Sequence, residues 1–213
     1  MERVNVTKRI YFVRHGESAF NAKKMHQHAH VELSELGRKQ AAIVAERFKR
    51  LPVERIIAST HTRAHQTAVI IAEVTGKPLE TSDLFTEMRR PSLIVGKQAD
   101  DPAAVKIRAQ IDANFHDEGW HHSDEENHAD LKQRAQHALA YLLEQPFSTV
   151  LVVTHGTFLT VLLSVMAFGD QLTSRETLAI KKFAWTTNTG LTICDYLDGR
   201  WRLVTFNDYA HLG

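Results

Sequence analysis

The chain has 213 residues, enough for one sizeable core or for a core with a small cap. Its 26 Lys and Arg residues nearly balance 25 Asp and Glu, which argues against a broad electrostatic footprint for nucleic acid or for an anionic membrane surface. The single cysteine, Cys194, excludes an internal disulfide and fits a reducing compartment, and its small size suits a core position.

The stretch Met1–Arg9 is polar and mixed in charge, and the apolar run after it is too short for a secretion signal. No segment approaches the ~20 apolar residues of a membrane helix, so the expectation is a soluble, cytoplasmic protein. Ile10–Val13 is the first apolar run and reads as a buried strand. It ends in Arg14-His15-Gly16-Glu17-Ser18. Open α/β sheets bind ligands at the carboxyl ends of their strands, so Arg14 and His15 arrive at such an edge. A guanidinium beside an imidazole is a costly pair unless an anion joins them. Arginine offers a planar fork matched to phosphate or carboxylate, and a neutral imidazole is a nucleophile. Gly16 lets the backbone turn sharply beside a ligand, and Glu17 reads as an anchor of that turn.

Phe20 to Val31 reads as a loop with His26, His28 and His30 at alternate positions. An extended backbone would let the three converge on a metal; the alternative, adopted here, is a polar loop at the mouth of the site. Ser34 is a good N-cap for a helix whose apolar stripe is Ala41, Val44, Phe48 and Leu51, ended by Pro52. Arg55–Ala58 is the next buried strand, and the order strand, helix, strand implies a parallel pair with a right-handed crossover. A second helix follows Ser59–Thr62, with Thr67, Ile70, Ile71 and Val74 inside and Gly76 and Pro78 closing it. Arg63 falls in its first turn, where the helix dipole disfavours a cation and a bound anion would reverse the balance. His61 and His65 are expected to be peripheral.

Leu79 to Leu84 suggests a short strand and turn, followed by Phe85–Pro91. Arg89 and Arg90 there either add charge for an acidic substrate or face water. Residues 96–128 are polar and mostly helical by pattern, with Pro102 opening a helix whose face is Val105, Ile107, Ile111 and Phe115. This segment reads as an insertion covering the site, packed by Phe115 and Trp120. His121, His122 and His128 fit no common zinc spacing. Ala129–Glu144 is a firmer helix. Val150–Val153 is a second buried strand, and it ends in Thr154-His155-Gly156. Two strands each delivering a His-Gly to its carboxyl end suggest two imidazoles facing one pocket. Phe158–Phe168 is an apolar helix, and Gly190–Tyr196 and Trp201–Thr205 are late strands joined by the hairpin turn Asp198-Gly199.

Taken together, Arg14–Ser18 with Asn21, Leu33–Gly37, Gln40-Ala41, Ala58-Ser59, Arg63-Ala64, Gln66–Ala68, Val153–Gly156 and Asn188–Gly190 resemble the histidine phosphatase superfamily, branch 1, the phosphoglycerate-mutase-like proteins. The resemblance covers most of the chain. Strand–helix alternation points to an α/β fold. The resemblance implies a three-layer sandwich, with a mostly parallel central sheet, helices on both faces and a small helical cap at about 96–128, all in one domain spanning 1–213. It implies His15 as a nucleophile that forms a phosphohistidine. Arg14, Arg63 and His155 would hold the phosphoryl oxygens, with Asn21, Ser18 and Gly156 in substrate contact. Glu87 matches the general acid, with Asp83 in reserve. The arginines supply the positive charge, so neither a metal nor another cofactor is expected, and the partner is a small phosphorylated substrate.

Four functions compete. A metal-independent phosphomonoesterase leads. A phosphoglycerate mutase is the alternative, although mutases usually carry a Phe-Thr-Gly-Trp-like loop and a Glu-Arg-His-Tyr-Gly-like acid segment where this chain has His26–Val31 and Glu87–Pro91. A non-catalytic phospho-ligand binding module and a metal-dependent hydrolase using the histidine-rich loops complete the set.

Overall fold

A computed structural model describes residues 7–213, so most of the polar stretch Met1–Arg9 lies outside the described residues. The strands are β1 (Lys8–Arg14), β2 (Arg55–Ser59), β3 (Leu79–Ser82), β4 (Thr149–Thr154), β5 (Leu191–Leu197) and β6 (Arg200–Asp208). The α-helices are α1 (Ala19–Ala22), α2 (Glu35–Phe48), α3 (Thr62–Thr75), α4 (Pro102–Asn114), α5 (His128–Glu144), α6 (Gly156–Phe168) and α7 (Ser174–Phe183).

One sheet runs in the order β3-β2-β4-β1-β5-β6. The first four are mutually parallel; β5 and β6 are antiparallel additions. Side chains alternate across a strand, so β1 feeds both faces. Ile10 and Phe12 join Val150, Val152, Leu131, Leu139, Phe158 and Leu162 under α5 and α6. Tyr11 and Val13 join Leu151, Val153, Val44, Phe48, Ala64 and Ile71 under α2 and α3. A strand covered on both faces reads as an unbroken apolar run, and β1 and β4 do. The architecture is the expected α/β sandwich.

Register is what positions the site. Val13 pairs with Val153 and Arg14 with Thr154, and the His15 N–H donates to the Thr154 carbonyl at 2.9 Å. The two His-Gly steps therefore leave adjacent strands at one level.

Several elements differ from expectation. The loop after β1 contains α1, capped reciprocally by Ser18 and Asn21. Helix α2 stops at Phe48, so Leu51 packs from the following turn. Within 96–127 the only α-helix is α4, and His128 opens α5. Residues after Phe115 form turns, where the Glu125 carboxylate accepts the N–H groups of His122 and Ser123. Val105 is 42% exposed and not on the packed face, whereas Ala104, Ile111 and Phe115 are buried. Helix α7 was not anticipated; its signal is the capping box Thr173-x-x-Glu176, because little of its surface is buried. The hairpin turn is as read, with Asp198 and Gly199 both at positive φ. Among the described residues no helix is long and apolar enough to cross a membrane.

Candidate active site

His15 sits where β1 gives way to the turn, 2% exposed. Its Nδ1 lies 2.7 Å from the Gly16 carbonyl, which can only accept, so Nδ1 carries the proton. The Nε2 lone pair is left free to accept from Arg63 Nε at 3.2 Å. Burial first, then the charges of Arg63 and Arg14, hold the His15 pKa well below its ordinary value of 6.5. The ring is a neutral imidazole.

The turn is built by close backbone packing. A Cβ on Gly16 would meet the Gly37 carbonyl oxygen at 2.4 Å, and one on Gly37 would meet that of Glu17 at 1.9 Å. Gly16 therefore serves close packing against α2. Glu17 anchors the turn, accepting from Ser34 Oγ at 2.7 Å while its N–H donates to Gln40 Oε1 at 2.9 Å.

Arg63 leaves the first turn of α3 and is 2% exposed. Its two terminal nitrogens reach the His28 carbonyl at 3.1 Å and His61 Nδ1 at 3.4 Å. Arg14 donates to the Thr186 carbonyl, and its Nε is buried without a partner. Among the described residues neither arginine forms an ion pair. Burial lowers the Arg63 pKa to about 10 and lowers that of Arg14, with Glu87 acting in the opposite sense. Two guanidinium groups, one buried and one half-buried, with no ion-pair partner are an unfavourable arrangement that an anionic ligand would relieve.

His155, fully buried, lies beside His15 with ring centroids 5.0 Å apart. Its Nε2 is 2.8 Å from Ser59 Oγ, and its Nδ1 has no partner. His61, expected to be peripheral, stands 5.0 Å from the His155 ring, and burial and Arg63 depress its pKa to about 4. Tertiary packing overrides its place just before α3. His65 stays exposed.

Glu87 occupies the loop after β3. Its Oε1 accepts from the N–H groups of Met88 and Phe158 at 2.8 and 3.0 Å, and its Oε2 from Thr157 at 3.2 Å. The carboxylate thus caps α6 and is aimed by it. Arg134, missed at the sequence level, holds this loop in place. It grips Glu126 with two hydrogen bonds, donates to the Leu84 and Thr86 carbonyls, and lies 3.9 Å above the Phe158 ring. Asn188, also missed, donates from Nδ2 to the His15 carbonyl at 2.9 Å. Only the Asn-Thr-Gly match marked it in the sequence.

A cavity of about 670 Å³ joins Arg14, His15, His61, Arg63 and Glu87. Asp83 also lines it, accepting from Thr60 Oγ1 at 2.5 Å. Asn21 and Ser18 do not line it. The Asn21 Oδ1 accepts the Ser18 N–H, and Ser18 Oγ caps α1 and donates to Gln27 Oε1 at 2.8 Å; it is Gln27 that reaches the wall. Gly156 lines a neighbouring cavity with Arg14 and Glu87; a Cβ there would meet Thr186 Oγ1 at 2.8 Å and Arg14 Nε at 3.4 Å. His26 and His28 line the main cavity, but among the described residues no three His, Cys, Asp or Glu side chains are grouped to hold a metal ion. Trp120 packs outside it, 6.3 Å from the His122 ring.

The fold and site define an α/β protein with a cavity in which two arginines flank a neutral imidazole. The chain belongs to the histidine phosphatase superfamily (branch 1), whose family profile matches residues 10–209. It is 30% identical over 212 residues to the protein named "Probable phosphoglycerate mutase GpmB" of Yersinia pestis (strain Pestoides F), covering 95% of this chain and 94% of that one. It is similar to the solved mycobacterial glucosyl-3-phosphoglycerate phosphatase complexed with VO3, with TM-score 0.75, 25% identity, and 94% and 99% of the two chains covered. It also shares the fold of a phosphoserine phosphatase mutant from Entamoeba histolytica complexed with phosphoserine, with TM-score 0.79, 21% identity, and 97% and 100% covered. Its relatives and structural neighbours are thus phosphatases and mutase-like proteins.

Proposed function

We propose that the protein is a metal-independent phosphomonoester hydrolase acting on a small phosphorylated metabolite through a phosphohistidine at His15. The observation that carries this is a buried, neutral imidazole with its Nε2 free of a proton, flanked by the buried Arg63 and the half-buried Arg14, neither of them held in an ion pair among the described residues. Phosphoryl transfer asks mainly for positioning and charge stabilisation, and these groups supply both.

Arrival of the phosphate draws the Arg63 guanidinium onto its oxygens and frees Nε2. Nε2 attacks phosphorus as the ester P–O bond breaks, and Glu87 gives its proton to the departing alkoxide. Water then attacks the phosphohistidine, Glu87 takes back a proton, the P–N bond breaks, and inorganic phosphate leaves. Arg14, Arg63 and His155 grip the transferring oxygens. Ser59 fits a tautomer-setting role: an O–H donated to His155 Nε2 leaves Nδ1–H available to the phosphate.

The test is phosphate release from a panel of phosphomonoesters in the presence of chelator. Wild type is expected to turn over and to yield an acid-labile phosphoenzyme; His15→Ala, checked for folding by circular dichroism, is expected to do neither. Near-normal turnover by His15→Ala would sink the assignment. Loss of activity with chelator and its return with zinc would favour the metal-dependent reading. The name of the Yersinia relative favours a mutase as the second reading. Isomerised product from 3-phosphoglycerate, in place of free phosphate, would establish it. Ligand binding without turnover of any ester would leave the binding-module reading.

A further inference from the structure

Every acceptor that Arg63 has among the described residues is uncharged. Its Nε donates to His15 Nε2 at 3.2 Å, one terminal nitrogen donates to the His28 carbonyl at 3.1 Å, and the other to His61 Nδ1 at 3.4 Å. Three other arginines tie elements together through carboxylates: Arg9 with Asp195, Arg47 with Asp208 and Arg134 with Glu126. A carboxylate would hold Arg63 more tightly, but it would also neutralise the charge that a phosphate needs.

A guanidinium has only N–H groups to offer, so His61 Nδ1 is the ring nitrogen without a proton, and Nε2 carries it. With a pKa of about 4, the ring stays neutral around pH 7. His61 stands at the N-cap of α3 but makes no side-chain cap hydrogen bond, so its ring is not used by the helix. Its backbone is pinned from both sides. The His61 N–H donates to Ser59 Oγ at 3.2 Å, the same hydroxyl that meets His155 Nε2, and the Thr62 N–H donates to the Ala29 carbonyl at 3.0 Å. The ring lies edge-on to His155 and lines the main cavity beside Arg63.

We propose that His61 is a positioning residue for Arg63: its uncharged lone pair fixes the plane of the guanidinium and leaves the positive charge for the phosphoryl group. This deepens the hydrolase reading and rests on it for the identity of the anion at Arg63. Three of the five N–H groups are engaged in the free protein, and the contact with His15 is the one given up when phosphate arrives. The contacts with His28 and His61 persist, so the guanidinium keeps its orientation while its remaining N–H groups take the ligand oxygens.

The test is a series at position 61, read by calorimetric binding of inorganic phosphate, which needs no turnover, and by kcat and KM on a phosphomonoester. Asn offers a neutral acceptor in place of Nδ1, Asp a charged one of the same shape, and Leu none. His61→Asn is expected to stay within about threefold of wild type in phosphate affinity, whereas His61→Asp and His61→Leu each lose about tenfold or more, the scale of a charged hydrogen bond. Circular dichroism checks folding, and His61→Leu carries the test should the Asp variant not fold. In an Arg63→Gln background the gap between Asn and Asp is expected to close, because the shared contact is gone. Equal phosphate affinity in the Asn and Asp variants overturns the proposal, as does a Leu variant that matches wild type. A gap of full size without Arg63 also overturns it, since the Asp would then be repelling the ligand directly. The expected pattern in a protein that hydrolyses no phosphate ester would keep the role of His61 and lose the hydrolase reading; phosphate binding and hydrolysis indifferent to position 61 would do the reverse.

Discussion

At His15 the two ring nitrogens are in different states. Nδ1–H is spent on the Gly16 carbonyl, so Nε2 keeps its lone pair, and burial beside two guanidinium groups disfavours a second proton. Glu87 is the complementary group. Three backbone N–H groups fix its carboxylate at the start of α6. Glu87→Gln preserves an acceptor for those donors and removes the transferable proton. Turnover of alkyl phosphates is then expected to fall by about 10²–10⁴, the range of general acid catalysis. Turnover of p-nitrophenyl phosphate, whose leaving group needs no proton, should fall far less. Equal losses on both esters would remove Glu87 from the acid role. At this scale the sequence was informative about residue types and poor about neighbours. Asn21 and Ser18, expected in substrate contact, form a helix cap outside the cavity lining, while His61 looked peripheral and stands against His155.

Between elements, the turn after β1 and the first turn of α2 meet backbone to backbone at Gly16 and Gly37. There is no flexible side chain to yield, so Gly37→Ala must displace one main chain or the other. Overpacking of this kind costs typically about 1–3 kcal/mol. The urea midpoint of Gly37→Ala is expected to fall accordingly, and kcat with it, because the same turn carries His15. An unchanged midpoint would show that α2 slides to make room. The reason for Gly37 was not legible from its place in a helix start; it lies in the approach of a loop that precedes it by twenty residues. Arg134 is a similar case. It reads as one charged position on α5, yet it ties the Glu87 loop to Glu126 and to Phe158 of α6.

For the molecule as a whole, the buried histidines set the response to acid. His15 and His155 are held well below 6.5, His61 near about 4, and His26, His128 and His211 are also lowered, burial being the first cause each time. In the unfolded chain these groups take up protons as pH falls through about 6.5; in the folded chain they do not. The unfolded state therefore binds more protons in this window, and stability falls with decreasing pH, starting before the carboxylates titrate. Each such histidine contributes a slope of about 1.4 kcal/mol per pH unit between its two pKa values. Thermal unfolding is expected to show a Tm that falls steadily between about pH 7 and pH 5, less steeply in His61→Gln. A Tm that stays level to pH 5 would mean that these rings are protonated in the native state.

The local chemistry of the chain was enough to determine the buried strands β1 and β4, the helices that cover them, and the arrival of a His-Gly at each strand's end. Burial on both faces leaves its mark on every residue of a strand, so it can be read without knowing the neighbours. Which histidines converge was decided only in three dimensions. His15 and His155 meet because parallel pairing sets Arg14 beside Thr154, and His61, Ser59 and Arg63 join them because β2 adds to the other edge of β4. Such meetings depend on registers between segments far apart in sequence, and no single segment carries that information.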